Sequence, residues 1–133
     1  MKFLSAEQVL FIHARMIEET GGSHGVRDLG LLESAVARPQ ATYEGKELYE
    51  DIFTRAAALM DSLINNHPFV DGNKRTGVAA AALLLRLNGW QLNPSPADLE
   101  RQTLRVATES LAVQELGAWL RSNSVQLKRK SDR

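Results

Sequence analysis

Between His67 and Thr76 the chain reads His-Pro-Phe-Val-Asp-Gly-Asn-Lys-Arg-Thr, which sets an imidazole, a carboxylate, a glycine turn and two cations at the entrance of a helix. The first N–H groups of a helix lack intrahelical acceptors and carry the positive end of its dipole, so an anion there gains hydrogen bonds and field together. Phosphate is the anion this combination suits. Transfer of a phosphoryl or nucleotidyl group to a hydroxyl needs positioned phosphates, neutralised charge, usually a divalent cation, and an acceptor for the hydroxyl proton. His67 suits the general base, and Asp71 is a hard oxygen ligand for Mg²⁺. Gly72 lets the backbone turn close to a ligand, while Asn73, Lys74 and Arg75 present donors from the helix start.

Each residue alone has a plainer reading: a histidine at a helix end, Asp71 as a cap for the next helix, Lys74 and Arg75 as a solvated pair. Their convergence within nine residues carries the argument. A transition-metal site from His67 and Asp71 is the weaker alternative, because Pro68 opposes helix there and no third ligand is near in sequence.

Elements around the motif must position it. Ser5 and Gln8 form a capping box bracketed by Leu4 and Val9, so a first helix is expected from Ala6 towards Glu19, with Val9, Ile12 and Met16 on its core face. The glycine-rich run Gly21 to Gly25 is a flexible loop over residues 20 to 27, either an ordinary helix connector or a flap beside the site. Asp28 caps a short helix with Leu31, Leu32, Ala35 and Val36, stopped by Pro39. Arg38 and Gln40 beside that proline are candidates to face the site. Residues 40 to 47 are turn-like, and a third helix with Ile52, Ala56, Leu59, Met60 and Leu63 delivers the chain to His67. Pro68 opens the motif as a loop, since the residue before a proline is disfavoured in the helical conformation.

From Asn73 the next helix is apolar on nearly every face until Asn88-Gly89, which places it innermost in a bundle. Trp90 to Leu92 form an extended connector, Ser95-Pro96 with Asp98 start another helix, and a last one carries Val113, Leu116, Trp119 and Leu120. No hairpin chemistry is visible. The expected fold is all-α: a compact single-domain helical bundle with a central buried helix.

The 133 residues, 44% of them apolar, suit one domain with its own core. Sixteen basic residues balance sixteen acidic ones, so no overall field recruits DNA or anionic lipid. There is no cysteine, which excludes disulfides, thiol nucleophiles and thiolate metal sites. Glu7, His13 and Arg15 interrupt any secretory apolar region, and the stretch Gly77–Leu85 falls far short of the roughly 20 residues that span a bilayer. A cytoplasmic protein with no membrane contact is expected. His13 and His24 read as packing or surface residues, and Lys128-Arg129-Lys130 as a solvated end.

The motif resembles the signature loop of the Fic/Doc superfamily, His-x-Phe-x-Asp/Glu-Gly-Asn-Gly/Lys-Arg, and Lys74 matches the Doc (death-on-curing) branch. Gly21-Gly22, Gly25-Val26-Arg27-Asp28, Leu31-Leu32-Glu33-Ser34-Ala35 and Leu87-Asn88-Gly89 extend the likeness over residues 4 to 121. A domain of this type is expected over residues 1–121, and the basic composition at the end suits a flexible tail over 122–133. The resemblance implies His67 as the base that activates a target hydroxyl and Asp71 as the metal-binding acid. Gly72, Asn73, Lys74 and Arg75 would bind the nucleotide, Lys74 and Arg75 would also serve catalysis, and Phe69 would anchor the loop.

Two departures from the adenylylating Fic pattern bear on the reaction: Lys74 replaces a second glycine, and Val78 stands where a second arginine is usual. The lysine fills space and adds charge where phosphates would lie, which favours the Doc outcome. That outcome is transfer of the γ-phosphoryl group of ATP, with Mg²⁺, to a threonine of elongation factor Tu, stopping translation. No Ser or Thr has Glu four residues later, so the inhibitory segment of many Fic enzymes is absent, and a Phd-like antitoxin is the expected inhibitor. Two alternatives stand beside this kinase toxin: a Fic-type protein adenylyltransferase, and an inactive helical module that only binds an anion or a partner.

Overall fold

The computed structural model describes residues 1–128; of the basic run Lys128-Arg129-Lys130, only Lys128 falls within them. Among these residues the chain forms α1 (Ala6–Thr20), α2 (Leu29–Ala37), α3 (Ile52–Asn65), α4 (Asn73–Leu87), α5 (Pro96–Thr108) and α6 (Val113–Ser122). Two short antiparallel strand pairs join them: β1 (Thr42–Tyr43) with β2 (Lys46–Glu47), and β3 (Trp90–Leu92) with β4 (Ser124–Gln126). No helix of the described residues is long and apolar enough to cross a membrane.

Helix α1 begins with both halves of the capping box, Ser5 accepting from Gln8 N and Gln8 accepting from Ser5 N. Its buried residues are Val9, His13 and Ile17, while the expected Ile12 and Met16 are only half-buried. The helix is turned by about one position because the His13 ring, four residues from each neighbour on that stripe, is claimed by the motif loop. Asp28 caps α2 through Leu31 N, and Pro39 sits in a short 3₁₀ turn, Arg38–Gln40, beyond its end.

The most enclosed helix is α3, not the expected α4. All of α3 except Thr54, Asp61 and Asn65 is buried, because α2, α4, α5 and α6 all pack on it. Two glycines permit the close approach: a Cβ at Gly77 of α4 would lie 2.8 Å from Ile64 Cγ1, and one at Gly117 of α6 would lie 3.0 Å from Thr54 Cγ2. Helix α4 lies against α3 with Ala80, Ala81, Leu84 and Leu85 buried, but Val78, Ala79, Ala82 and Leu83 stay half-buried. Alanine-rich apolar composition thus marks close packing on one side rather than enclosure on all sides.

Both strand pairs depart from the sequence expectation. Thr42 faces Glu47 and Tyr43 faces Lys46 across a two-residue turn in which Glu44 and Gly45 both have positive φ. Such turns favour Asn-Gly or Asp-Gly, so Glu44-Gly45 carried no clear signal. Helix α3 holds this hairpin through buried Arg55, which donates to Glu47 Oε2 at 2.6 Å and to the Tyr49 carbonyl at 2.9 Å. At the other end, Ser124–Gln126 pair with Trp90–Leu92, and Leu127 N donates to the Gly89 carbonyl. The expected flexible tail from residue 122 is therefore corrected: residues 122–127 belong to the fold. The reason is that an extended connector leaves free edge groups that a neighbouring segment satisfies.

Candidate active site

The loop from His67 to Gly72 joins α3 to α4 and is held from several directions. Its anchor is Phe69, which is fully buried and stacks flat on the His13 ring, centroids 3.8 Å apart and planes 5° from parallel. Asn73 bonds both sides of the Phe69 peptide unit, accepting from its N–H and donating to its carbonyl, each at 3.0 Å. Residues 25–28 clasp the opposite side: Arg27 N and Asp28 N donate to the Pro68 carbonyl, and Val70 N donates to the Gly25 carbonyl. The Arg27 guanidinium donates to the carbonyls of His67 at 2.6 Å and Asn66 at 2.8 Å.

These contacts explain the backbone of His67. Its φ is 50°, in the left-handed region, rather than the extended conformation common before proline. Histidine is among the side chains enriched there, but the conformation still costs about 1–3 kcal/mol and persists only where surroundings impose it. Arg27 from outside and Asn73, whose Nδ2 lies 3.5 Å from His67 Nδ1, supply that constraint. The imidazole is left exposed at the loop's crest.

One cavity of about 370 Å³ is lined by His67, Val70, Asp71, Gly72, Asn73, Lys74 and Arg75. The structure therefore brings the imidazole, the carboxylate and both cations around a single space at the amino end of α4. The first bond of α4 in this turn runs from Thr76 N to the Gly72 carbonyl at 2.9 Å, and the amides of Asn73, Lys74 and Arg75 precede it. Asp71 is not a side-chain cap for the helix, because Gly72 occupies that position with φ 78°. Instead Asp71 Oδ2 accepts from Ser23 N at 3.1 Å and Oδ1 from Gly72 N at 2.9 Å. The Ser23 and Gly72 amides, aided by Arg75, hold this exposed carboxyl below the ordinary carboxylate range. No three His, Cys, Asp or Glu side chains cluster among the described residues as a metal cage.

Several contributors lie far from the motif in sequence. His13 donates from Nε2 to the Asp71 carbonyl at 2.8 Å, and Thr20 accepts from Arg75 Nη1 at 3.1 Å. Gly22 has φ 111°, and a Cβ there would lie 2.6 Å from Asp71 Oδ2. The sequence reading assigned His13 to packing or surface; the signal available was its place between Val9 and Ile17 on one helical stripe. Arg38 does not reach the cavity: it bonds Asp61, Ser62 and Tyr49 on the far side of α3, and Gln40 is exposed outside the lining. A second cavity of about 460 Å³ adjoins the first, sharing Lys74 and Arg75 and walled by Met16, Val78, Ala79, Leu99 and Leu104 among others.

A helical bundle that carries this loop between its two best-packed helices defines a class. The Fic/DOC family profile matches residues 3–85, and the chain belongs to that family. Its place is on the Doc branch. It is 34% identical over 121 residues to the Protein kinase doc of Escherichia phage P1, covering 91% of this chain and 94% of that protein. It is 57% identical over 72 residues to the Toxin Doc of Mycolicibacterium smegmatis, covering 54% of this chain and 55% of that protein, about half its length.

Proposed function

We propose that this protein is a Doc-type toxin that transfers the γ-phosphoryl group of ATP to a hydroxyl of a protein target. The observation that carries the reading is the convergence of base, acid and two cations on one cavity at a helix N-terminus. The name of the phage P1 relative, with coverage of nearly both full chains, supports kinase over nucleotidyl transfer. So does Lys74, which occupies the space that a second glycine leaves open in adenylylating relatives.

In this mechanism His67 accepts the proton of the target hydroxyl as its oxygen bonds to the γ-phosphorus. The bond from that phosphorus to the β–γ bridging oxygen breaks, and ADP leaves with the electron pair. Lys74, Arg75 and the amides at the start of α4 hold the phosphates and offset the charge that develops on them. The Asn73 side chain is already spent on Phe69, so its part is to shape the loop, and its backbone amide faces the anion. Asp71, exposed and anionic, fits a Mg²⁺ that takes one or two carboxylates with substrate phosphates. When bound, that ion would supply charge neutralisation for the substrate phosphates. The glycine loop, already packed on Asp71, serves as the flap against which a target segment lies.

The expected target is elongation factor Tu, with arrest of translation, and the expected regulator is a Phd-like antitoxin. The apolar cavity between α1, α4 and α5 supports the latter, since an amphipathic segment seated there would set an acidic side chain against Lys74 and Arg75. Incubation with elongation factor Tu and ATP labelled at either the α or the γ position tests the reading. Label retained from the γ position alone is the expected result. Label from the α position would establish adenylylation instead, and no label in any protein of a cell extract would leave an anion-binding module.

A further inference from the structure

The Asp71–Gly72 peptide links the acid to the helix start, and its plane is set from α1. No peptide bond among the described residues is cis, and in a trans peptide the carbonyl and the N–H point in opposite directions. His13 Nε2 lies 2.8 Å from the Asp71 carbonyl oxygen on the buried side of the loop. The Gly72 N–H must then point the other way, where Asp71 Oδ1 accepts it at 2.9 Å, and both residues line the cavity. Glycine permits a wide range of backbone angles, so a rotation of this peptide meets little steric resistance on the Gly72 side. A rotated peptide would turn a carbonyl oxygen, rather than an N–H, towards an incoming phosphate.

We propose that His13 is a positioning residue that pins the Asp71–Gly72 peptide so that the Gly72 N–H faces the phosphate of the bound nucleotide. The proposal rests on the kinase reading for its ligand, but its geometry does not depend on which group is transferred. The carbonyl can only accept, so His13 must carry its proton on Nε2. Stacking on Phe69 holds the ring in the plane that this bond needs, and burial keeps water from replacing it. When a nucleotide binds, the Gly72 amide exchanges the Asp71 carboxylate for a phosphate oxygen, which frees Oδ1.

Two substitutions separate the bond from the stacking. His13→Phe keeps an aromatic ring on Phe69 and removes the donor, whereas His13→Gln loses the ring and retains an amide donor of similar reach. ATP affinity, measured by calorimetry, should fall about 10- to 100-fold in H13F and stay within about threefold of the parent in H13Q. Wild-type ATP affinity in H13F, or equal loss in both variants with melting unchanged, would overturn the proposal. Nitrogen NMR of the unaltered protein gives a test that needs no variant: His13 must be the Nε2–H form, and the Nδ1–H form rejects it. If no phosphoryl transfer is found while ATP affinity follows this pattern, the kinase reading fails and the role of His13 stands.

Discussion

At the scale of single residues, His67 combines an exposed ring with a backbone that its neighbours hold in a disfavoured conformation. Replacing it with alanine removes the proposed proton acceptor and leaves the buried anchor Phe69 untouched. His67→Ala should therefore lower transfer by about 10²- to 10⁴-fold with little change in melting, read by γ-labelled ATP and circular dichroism. Asp71 predicts a pH effect with a definite sign. Its carboxyl is held below the ordinary range by the Ser23 and Gly72 amides, so its contribution to stability is present above that range. The contribution is lost as pH falls through the lowered value. Asp71→Asn should melt with less acid dependence below pH ~4 than the parent, and parallel acid profiles would contradict this account. Gly22→Ala forces a Cβ against Asp71 Oδ2 at a positive φ. It should cost about 1 kcal/mol or more, and displace the Ser23 amide from the acid.

Among the elements, the contact of α3 with α4 decides where the loop sits. Ala in place of Gly77 would gain about 1 kcal/mol of helix propensity, yet its Cβ would meet Ile64 Cγ1 at 2.8 Å and the Met60 carbonyl at 3.3 Å. Overpacking of a close helix contact costs about 1–3 kcal/mol, and backbone on the opposing side cannot yield as a side chain does. Gly77→Ala is expected to be destabilising by chemical denaturation; a raised midpoint would show that the helices separate freely. The second strand pair makes a matching point at the other end of α4. Removal of residues 122–133 takes β4 away from Trp90, whose ring meets Phe53 edge-on at 5.0 Å. A lowered melting temperature for that truncated chain would agree with residues 122–127 being structural.

For the molecule as a whole, balanced charge leaves recognition to local features. The two adjoining cavities share Lys74 and Arg75, so a partner filling the apolar one would lie beside the proposed phosphate site. Binding to the folded chain alone stabilises it by RT ln(1 + [L]/Kd), about 2.7 kcal/mol when the partner is free at one hundred times Kd. A cognate antitoxin at that excess should raise the melting temperature by about 10 °C and reduce phosphoryl transfer. An Asp substitution at Leu99 in the cavity wall should abolish the rise while sparing any ATP affinity of the chain alone. An unchanged rise with that variant would move the antitoxin elsewhere.

The amino-acid sequence by itself determined the family, the six helices and which residues form the candidate motif, because each of these is encoded locally. The motif is contiguous from His67 to Arg75, caps such as Ser5, Asp28 and Ser95 act within three residues, and apolar periodicity belongs to one helix at a time. Only the tertiary structure decided what closes around those groups. His13 reaches Asp71 across 58 residues, Ser23 reaches it across 48, and Arg27 reaches His67 across 40. Such partners leave no spacing to read: an imidazole on a buried stripe looks the same whether it fills space or holds a carbonyl. The same limit placed α4 innermost and Ser124–Gln126 in a tail, since the enclosure of a helix and the pairing of a strand edge depend on what other segments bring to them.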